Sequence, residues 1–350
     1  MNLNFFKKAL YVACKISGLT PWRFKAFASH ATILLYHRVI RQTHNRFCPN
    51  ASIEVPFSSF EKQMVFLAER CHVVSLEECL ERLAENAKLP PNTVVLTFDD
   101  GYRSDYELVY PLLKRHQFPA TFYIVPGFVD GQIFPWWYEV EDLIVQCDRR
   151  NCIVPFEKKP RDLRQAGQKL TSHRRIAARM RTMPLRKRRA FLARLRDCLA
   201  RPEWHPDRLD LMLTWEQIKE MSDSKLVQVG AHTARHLNLA KESRETVREE
   251  ISRSKNILKE RLGKPVRAFA YPYGHSGSFT QDTQDAVKAH GFTSGVSTVA
   301  GHLNPEVSIH PWRLPRIHVD GRDDLAAFQA KLSGIYWLLK STPLMAGASS

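Results

Sequence analysis

The chain has 350 residues, 44% of them apolar and 25% charged, which gives room for one large core and excludes a fibrous or intrinsically disordered protein. The formal charge of +16 is local: residues 158–208 carry 17 Lys/Arg against 4 Asp/Glu, a net of +13, and the remaining 35 Lys/Arg and 32 Asp/Glu leave only +3. Seven cysteines, an odd number with no C-x-x-C pair, exclude a disulfide framework and a structural zinc knuckle, and fit thiols in a reducing compartment.

Residues 1–19 hold two lysines and then only a short apolar run before Lys15. That is too short and too interrupted for a signal peptide or a membrane span, so the expected location is cytoplasmic. An amphipathic surface helix here, together with the basic stretch 158–208, would place the protein at the inner membrane face. The expected organisation is an N-terminal helical segment (1–30), a barrel over 31–322 that includes a helical insertion at 132–213, and a C-terminal helix and tail (323–350).

Six short runs, at 32–36, 94–98, 120–125, 226–229, 266–271 and 292–297, are rich in β-branched or aromatic residues and nearly continuous in apolar character. Strands covered on both faces, as in parallel sheets, read this way. Between them lie helix-start signals: Ser58 with Glu61, Ser75 with Glu78, Ser104 with Glu107, and Thr214 with Gln217 have the spacing of capping boxes. Val247, Ile251, Leu258 and Leu262 form a helical stripe. Strands alternating with helices predict βα units, hence an α/β fold with a parallel sheet or barrel. The 132–213 stretch breaks the rhythm, and its stripe of Phe191, Leu192, Leu195, Cys198 and Leu199 predicts a packed basic helix that leaves arginines outside.

Polar clusters stand at the ends of these strands. Asp99-Asp100-Gly101 follows 94–98, His232 and His236 follow 226–229, and Pro272-Tyr273-Gly274 follows 266–271, while His37 follows the first run. In a (β/α) barrel the strand C-termini converge on one rim, where active sites are built. Two imidazoles four residues apart in a helical turn would present nitrogens to one point, which suits zinc or a similar divalent ion. The second position of that spacing is Thr233, so no general base comes from it. Adjacent buried carboxylates demand a cation or hydrogen-bond donors in compensation. One carboxylate with two histidines leaves open coordination positions, and the other carboxylate stays free to take a proton.

The set T-F-D-D-G (97–101), H-T-x-x-H (232–236) and Y-P-Y-G (271–274) resembles the polysaccharide deacetylase family, also called carbohydrate esterase family four. The similarity runs from about Ile33 to Val319, and L-L-Y-H-R-V at 34–39 is similar to the branch acting on cell-surface glycans. The resemblance implies a distorted (β/α) barrel with a basic helical insertion. It implies Asp99 as general base and Asp100, His232 and His236 as ligands of a divalent metal, Zn2+ foremost. Tyr273 would line the groove and offer its backbone N–H to the tetrahedral oxyanion. Two positions depart from the family pattern. Ala270 and Tyr271 stand where an Arg often precedes Pro-Tyr; Arg316 in L-P-R-I-H is the substitute, ahead of Arg267. For the late histidine that serves as general acid the choice is His318, with His275 and His310 behind it, and an unshifted imidazole would titrate near neutrality. Trp312 is a candidate wall of the acetyl site or, equally, a core tryptophan.

The reaction expected is hydrolysis of N-acetyl groups on amino sugars of a bacterial surface polysaccharide or its lipid-linked oligosaccharide precursor. Alternatives are hydrolysis of a non-sugar amide or ester, and a catalytically silent glycan-binding barrel. Nucleic acid is not an expected partner, because the basic run lacks interleaved aromatics and any known module.

Overall fold

The computed structural model describes residues 13, 16–17, 19–26, 28–42, 48–157, 159–201, 203–206 and 211–335. The surface helix expected within 1–19 and the tail beyond 335 therefore lie largely outside the described residues. Among the described residues, no helix is long and apolar enough to cross a membrane.

The strands are β1 (Ala31–Tyr36), β2 (Arg38–Ile40), β3 (Glu54–Pro56), β4 (His72–Val73), β5 (Thr93–Asp100), β6 (Ala120–Ile124), β7 (Val227–Ala231), β8 (Ala268–Ala270), β9 (Ser294–Val296) and β10 (Ile317–His318). The main sheet is parallel throughout, in the order β10-β1-β5-β6-β7-β8-β9, with β4 added at the start of β5. A further parallel bridge joins Val296 to Leu314, and the chain then runs through Arg316 into β10 beside β1. That short segment closes the sheet into a ring, which gives the distorted (β/α) barrel. All six predicted strand runs are present, with ends shifted by a residue or two, as hydrogen-bonded boundaries usually are.

Side-chain alternation sorts the core into two layers. Ala31, Ile33, Val95, Tyr123, Ala268, Ala270 and Val296 fill the barrel interior. Leu34, Tyr36, Leu96, Phe98 and Phe122 point outward under the helices, where Phe98 stacks between Tyr36 and Phe122. This is the period-two pattern of a strand buried on both faces.

The surrounding helices are α1 (Leu19–Ala26), α2 (Phe57–Arg70), α3 (Leu76–Ala84), α4 (Tyr110–His116), α5 (Trp136–Val145), α6 (Ala166–Arg181), α7 (Leu185–Cys198), α8 (Trp215–Asp223), α9 (Arg244–Leu262), α10 (Gln281–Ala289) and α11 (Leu325–Leu332). Ser75 caps α3 by accepting from Glu78 N, and Thr214 with Gln217 forms a full capping box on α8. Two expected caps are absent. Helix α2 begins at Phe57, so Ser58 lies inside its first turn. Ser104 makes no capping bond, because the chain enters a wide π-type turn at Asp105–Val109 that leaves its hydroxyl without a partner. A capping box at Thr280 and Thr283 escapes the Glu/Gln signature because threonine makes the return bond. The stripe of α9 packs as expected: Val247, Ile251, Leu258 and Leu262 are all buried.

Helices α5, α6 and α7 pack on one another around a second core cluster, in which Phe191, Leu195 and Leu199 are buried with Trp136, Tyr138 and Met180, and which Tyr102, Val125 and Phe128 join to the barrel. The expected stripe does the packing, Leu192 and Cys198 being only partly covered. All six cysteines among the described residues are free thiols.

Candidate active site

Strand parity and one unusual dihedral set the two carboxylates. Asp99 falls on the inward side of β5 with Val95 and Thr97. Asp100 would face the outer layer, but its φ of 80° and the 78° of Gly101 after it swing the chain round. Left-handed φ at a non-glycine residue costs of order 1–3 kcal/mol, so the surrounding structure must hold it. Tyr102 helps: its hydroxyl donates to Asp100 Oδ2 at 3.0 Å and accepts from Trp137 Nε1 at 3.1 Å. Asp100 Oδ1 is buried and has no hydrogen-bond partner.

That orphaned oxygen faces two imidazoles. His236 Nε2 lies 3.4 Å from it and His232 Nε2 3.6 Å. The segment between the histidines is not the helical turn the spacing predicts; it is a loop with left-handed residues at Thr233 (φ 60°) and His236 (φ 52°). These reversals bring the rings to 4.9 Å between centroids. His232 Nδ1 lies 2.8 Å from the Ala270 carbonyl, a bond that only Nδ1–H can make, so Nε2 keeps its lone pair. Burial drives the pKa of both histidines down, and they stand neutral. Burial, then Asp99, pushes the Asp100 carboxyl up to about 8. Two ligands about 2.1 Å from a tetrahedral ion stand roughly 3.4 Å apart, so these three atoms fit a divalent cation such as zinc. Among the described residues they are the one His/Asp/Glu/Cys group close enough to hold an ion.

Asp99 is held differently. Arg316, fully buried inside the barrel, donates Nη1–H to Oδ1 and Nη2–H to Oδ2, both at 2.7 Å. Arg316 is itself anchored to the Ser297 carbonyl and the Thr97 hydroxyl. Burial pushes the Asp99 carboxyl up, but the Arg316 guanidinium and then His232 outweigh it, and the net displacement is downward. Asp99 is therefore an ionised carboxylate 4.0 Å from His232 Nε2. Arg267, the other candidate, pairs with Glu77 on the exposed surface and takes no part.

A cavity of about 790 Å³ opens over this floor, with Asp99, Asp100, His232, His236, Tyr273 and His318 on its lining. Tyr273 has a left-handed backbone (φ 62°) next to Gly274, where a Cβ would come within 2.5 Å of Thr298 N. Its ring packs on His236 and its hydroxyl accepts from Trp136 Nε1 at 3.0 Å. His318 lies edge-on to His37, 5.6 Å between centroids, and its Nε2 has no partner. The expectation of an unshifted imidazole there fails: burial, then His37, lowers the His318 pKa to about 3, and His37 falls to about 4 for want of solvent. His275 reaches only the exposed rim, and His310 lies away from the cavity against Trp312. Trp312 is not a wall of the site either. It donates to the Phe292 carbonyl and packs on the outer core. The aromatic walls are Trp136 and Trp137 of α5, which nothing but the P-W-W-Y run at 135–138 could have flagged.

The arrangement can therefore bind a cation, keep one carboxylate ionised beside it, and enclose a small acyl group between aromatic rings. Comparison with known proteins agrees. The poly-β-1,6-N-acetyl-D-glucosamine N-deacetylase of Escherichia coli is 32% identical over 111 residues, 31% of this chain and 15% of that protein. The enzyme of the same name from Staphylococcus aureus is 31% identical over 124 residues, 33% of this chain and 42% of its own length. The chain thus spans less than half of these curated relatives. The fold matches the acetate-bound deacetylase PplD of Streptococcus pyogenes with a TM-score of 0.57 at 19% identity, covering 87% of this chain and 98% of that one. Residues 86–295 match the sequence profile described as polysaccharide deacetylase, and that stretch holds both carboxylates, both histidines and Tyr273: the chain belongs to the polysaccharide deacetylase family.

Proposed function

We propose that this protein is a metal-dependent hydrolase that removes N-acetyl groups from amino sugars of a bacterial surface polysaccharide or its precursor. The observation that carries the reading is the orphaned Asp100 Oδ1 facing two neutral imidazole nitrogens, beside an Asp99 held ionised by Arg316.

Asp100 Oδ1, His232 Nε2 and His236 Nε2 would hold a divalent ion, zinc being the one this donor set suits best, which when bound supplies Lewis-acid polarisation of the acetyl carbonyl. Asp99 takes the proton from the attacking water; its bonds to Arg316 leave a second lone pair free on each oxygen. Arg316 positions Asp99 and keeps it charged. The Tyr273 backbone N–H donates to the oxyanion as the carbonyl becomes tetrahedral. His318 gives the leaving amine its proton. It is neutral at rest, so the proton it hands on is the one removed from water, which passes from Asp99 to His318 as negative charge develops on the acyl oxygen and then to the amine, returning both groups to their starting state. Trp136 and Trp137 shelter the acetyl methyl from water.

The test pairs elemental analysis with acetate release from β-1,6-linked N-acetylglucosamine oligomers. One equivalent of zinc and steady acetate release are expected. His232→Ala should lose both. A protein that binds zinc stoichiometrically yet frees no acetate from any N-acetylated glycan would sink the deacetylase reading.

A further inference from the structure

Helix α6 of the insertion forms part of the active-site wall. Leu170, His173, Arg174, Ala177 and Arg181 line the same cavity as Asp99 and the two metal-site histidines. Their spacing is one face of a helix. The helix carries five basic residues, and they divide by face. Arg175 pairs with Glu157, Lys169 donates to the Val145 carbonyl, and Arg179 lies off the cavity. Arg174 and Arg181 are exposed on the cavity side, and among the described residues neither has a carboxylate within 4.0 Å. The acids lining the cavity are Asp99 and Asp100, and both are committed, one to Arg316 and one to the histidine pair.

A second observation points the same way. His173 is buried beside these arginines, and its Nε2 has no hydrogen-bond partner. It lines the same cavity as both guanidiniums, and burial, then Arg181 and Arg174, lowers its pKa to about 4. Arg181 lines the same cavity as His275 at the rim and Tyr273 at the floor. A neutral sugar polymer offers this cluster no counter-charge. Two guanidinium forks and an imidazole match the oxygens of a phosphate ester. Arg174 and Arg181 are seven residues apart, about 10.5 Å along the axis, with only the methyl of Ala177 between them. Long side chains reaching across that notch suit a diphosphate better than a single carboxylate.

We propose that Arg174, Arg181 and His173 form an anion subsite beside the deacetylation centre, and that the preferred substrate is an N-acetylated sugar carrying a phosphate or diphosphate ester. The inference rests on the function proposed above and names the substrate class for that site.

Calorimetric binding to the full chain tests it with N-acetylglucosamine, its 1-phosphate, the uridine diphosphate sugar, a short-chain prenyl diphosphate sugar, and glucuronate. Phosphorylated sugars should bind at least roughly tenfold more tightly than the neutral one, and added salt should erode the advantage. Arg174→Gln with Arg181→Gln should abolish the advantage. Arg175→Gln with Arg179→Gln, which removes the same charge from other faces of the helix, should leave it intact. The nucleotide and prenyl arms identify the carrier. Equal binding of neutral and phosphorylated sugars would overturn the proposal. So would an equal loss in both double variants, an equal preference for glucuronate, or arginines that matter only for anionic lipid vesicles. Acetate release is read separately: a phosphate advantage without acetate on any substrate removes the deacetylase reading and leaves the subsite, and acetate release without the advantage does the reverse.

Discussion

The floor and the wall of the cavity are built on different principles. The floor comes from the barrel strands: Asp99 and Arg316 are locked inside the ring, fully desolvated, with two 2.7 Å bonds between them. The wall comes from α5 and α6, whose hydrophobic cluster reaches the floor through Tyr102, Val125 and Phe128, through the Trp137 ring on His236, and through the hydrogen bonds from Trp137 to Tyr102 to Asp100. Groups that move protons need fixed geometry, and β-strands buried on both faces supply it. Groups that select a substrate need reach and charge, and long arginine side chains on a surface helix supply those. On the proposal above, variation in α6 would retune what binds without disturbing what reacts.

The largest effects should fall on the floor. Asp99→Asn keeps the shape and removes the base, so kcat should fall about 10²–10⁴-fold while zinc content stays at one equivalent. Retention of full turnover would show that Asp99 has no part in proton transfer. Arg316→Gln leaves Asp99 as a buried, unpaired charge, which should cost roughly 3–5 kcal/mol of stability in chemical denaturation. An unchanged midpoint would mean that the ion pair is not what holds the barrel interior together.

The metal-site residues Asp100, His232 and His236 all belong to the floor, and the pH dependence of metal binding reports on it. In the metal-free protein the Asp100 carboxyl titrates at about 8, well above its ordinary value. A cation must displace that proton, so affinity should rise about tenfold per unit as pH climbs toward 8 and then level off. The same shift has a stability sign. The folded state holds a proton that the unfolded state releases near 4, so metal-free stability should fall between about pH 4 and 8 as pH rises. Bound zinc should remove that slope. A flat affinity profile would place the ligand carboxylate elsewhere.

The floor was also the legible part of the sequence. Asp99, Asp100, His232 and His236 stand at strand ends, and apolar runs of that kind are readable without any structure. Arg316 could be singled out only through the resemblance, as the substitute for the arginine missing before Pro-Tyr; the short strand at Ile317–His318 that carries it to the rim has no apolar run to announce it. The wall was not legible, because a helix facing a cavity has the same periodicity as one facing solvent. Arg174 and Arg175 look alike in sequence, and only packing makes one line the cavity and the other pair with Glu157. Trp312 stayed open between cavity wall and core for the mirror-image reason, since an aromatic near a strand end can turn outward as easily as inward, and here it turns outward. The loop from His232 to His236 depends on left-handed Thr233 and His236, conformations that neither residue type announces.

The smallest expected effects test how the wall supports the floor. Tyr102→Phe removes the donor to Asp100 Oδ2 and keeps the ring, so zinc affinity should drop about 10–100-fold, the usual loss when a ligand's outer hydrogen bond is removed. Trp137→Phe removes one link further back and should cost only a few-fold, in line with the roughly 0.5–1.5 kcal/mol net value of one hydrogen bond. The double variant separates two routes. If Trp137 acts on the metal site through the Tyr102 hydroxyl alone, its effect vanishes once that hydroxyl is gone, and the double variant matches Tyr102→Phe. If the two losses add, Trp137 reaches the site by another path, through its ring packed at 5.1 Å on His236. The wall would then orient a metal-site histidine directly by packing, and the division between reacting floor and selecting wall would be less sharp than the hydrogen bonds alone imply.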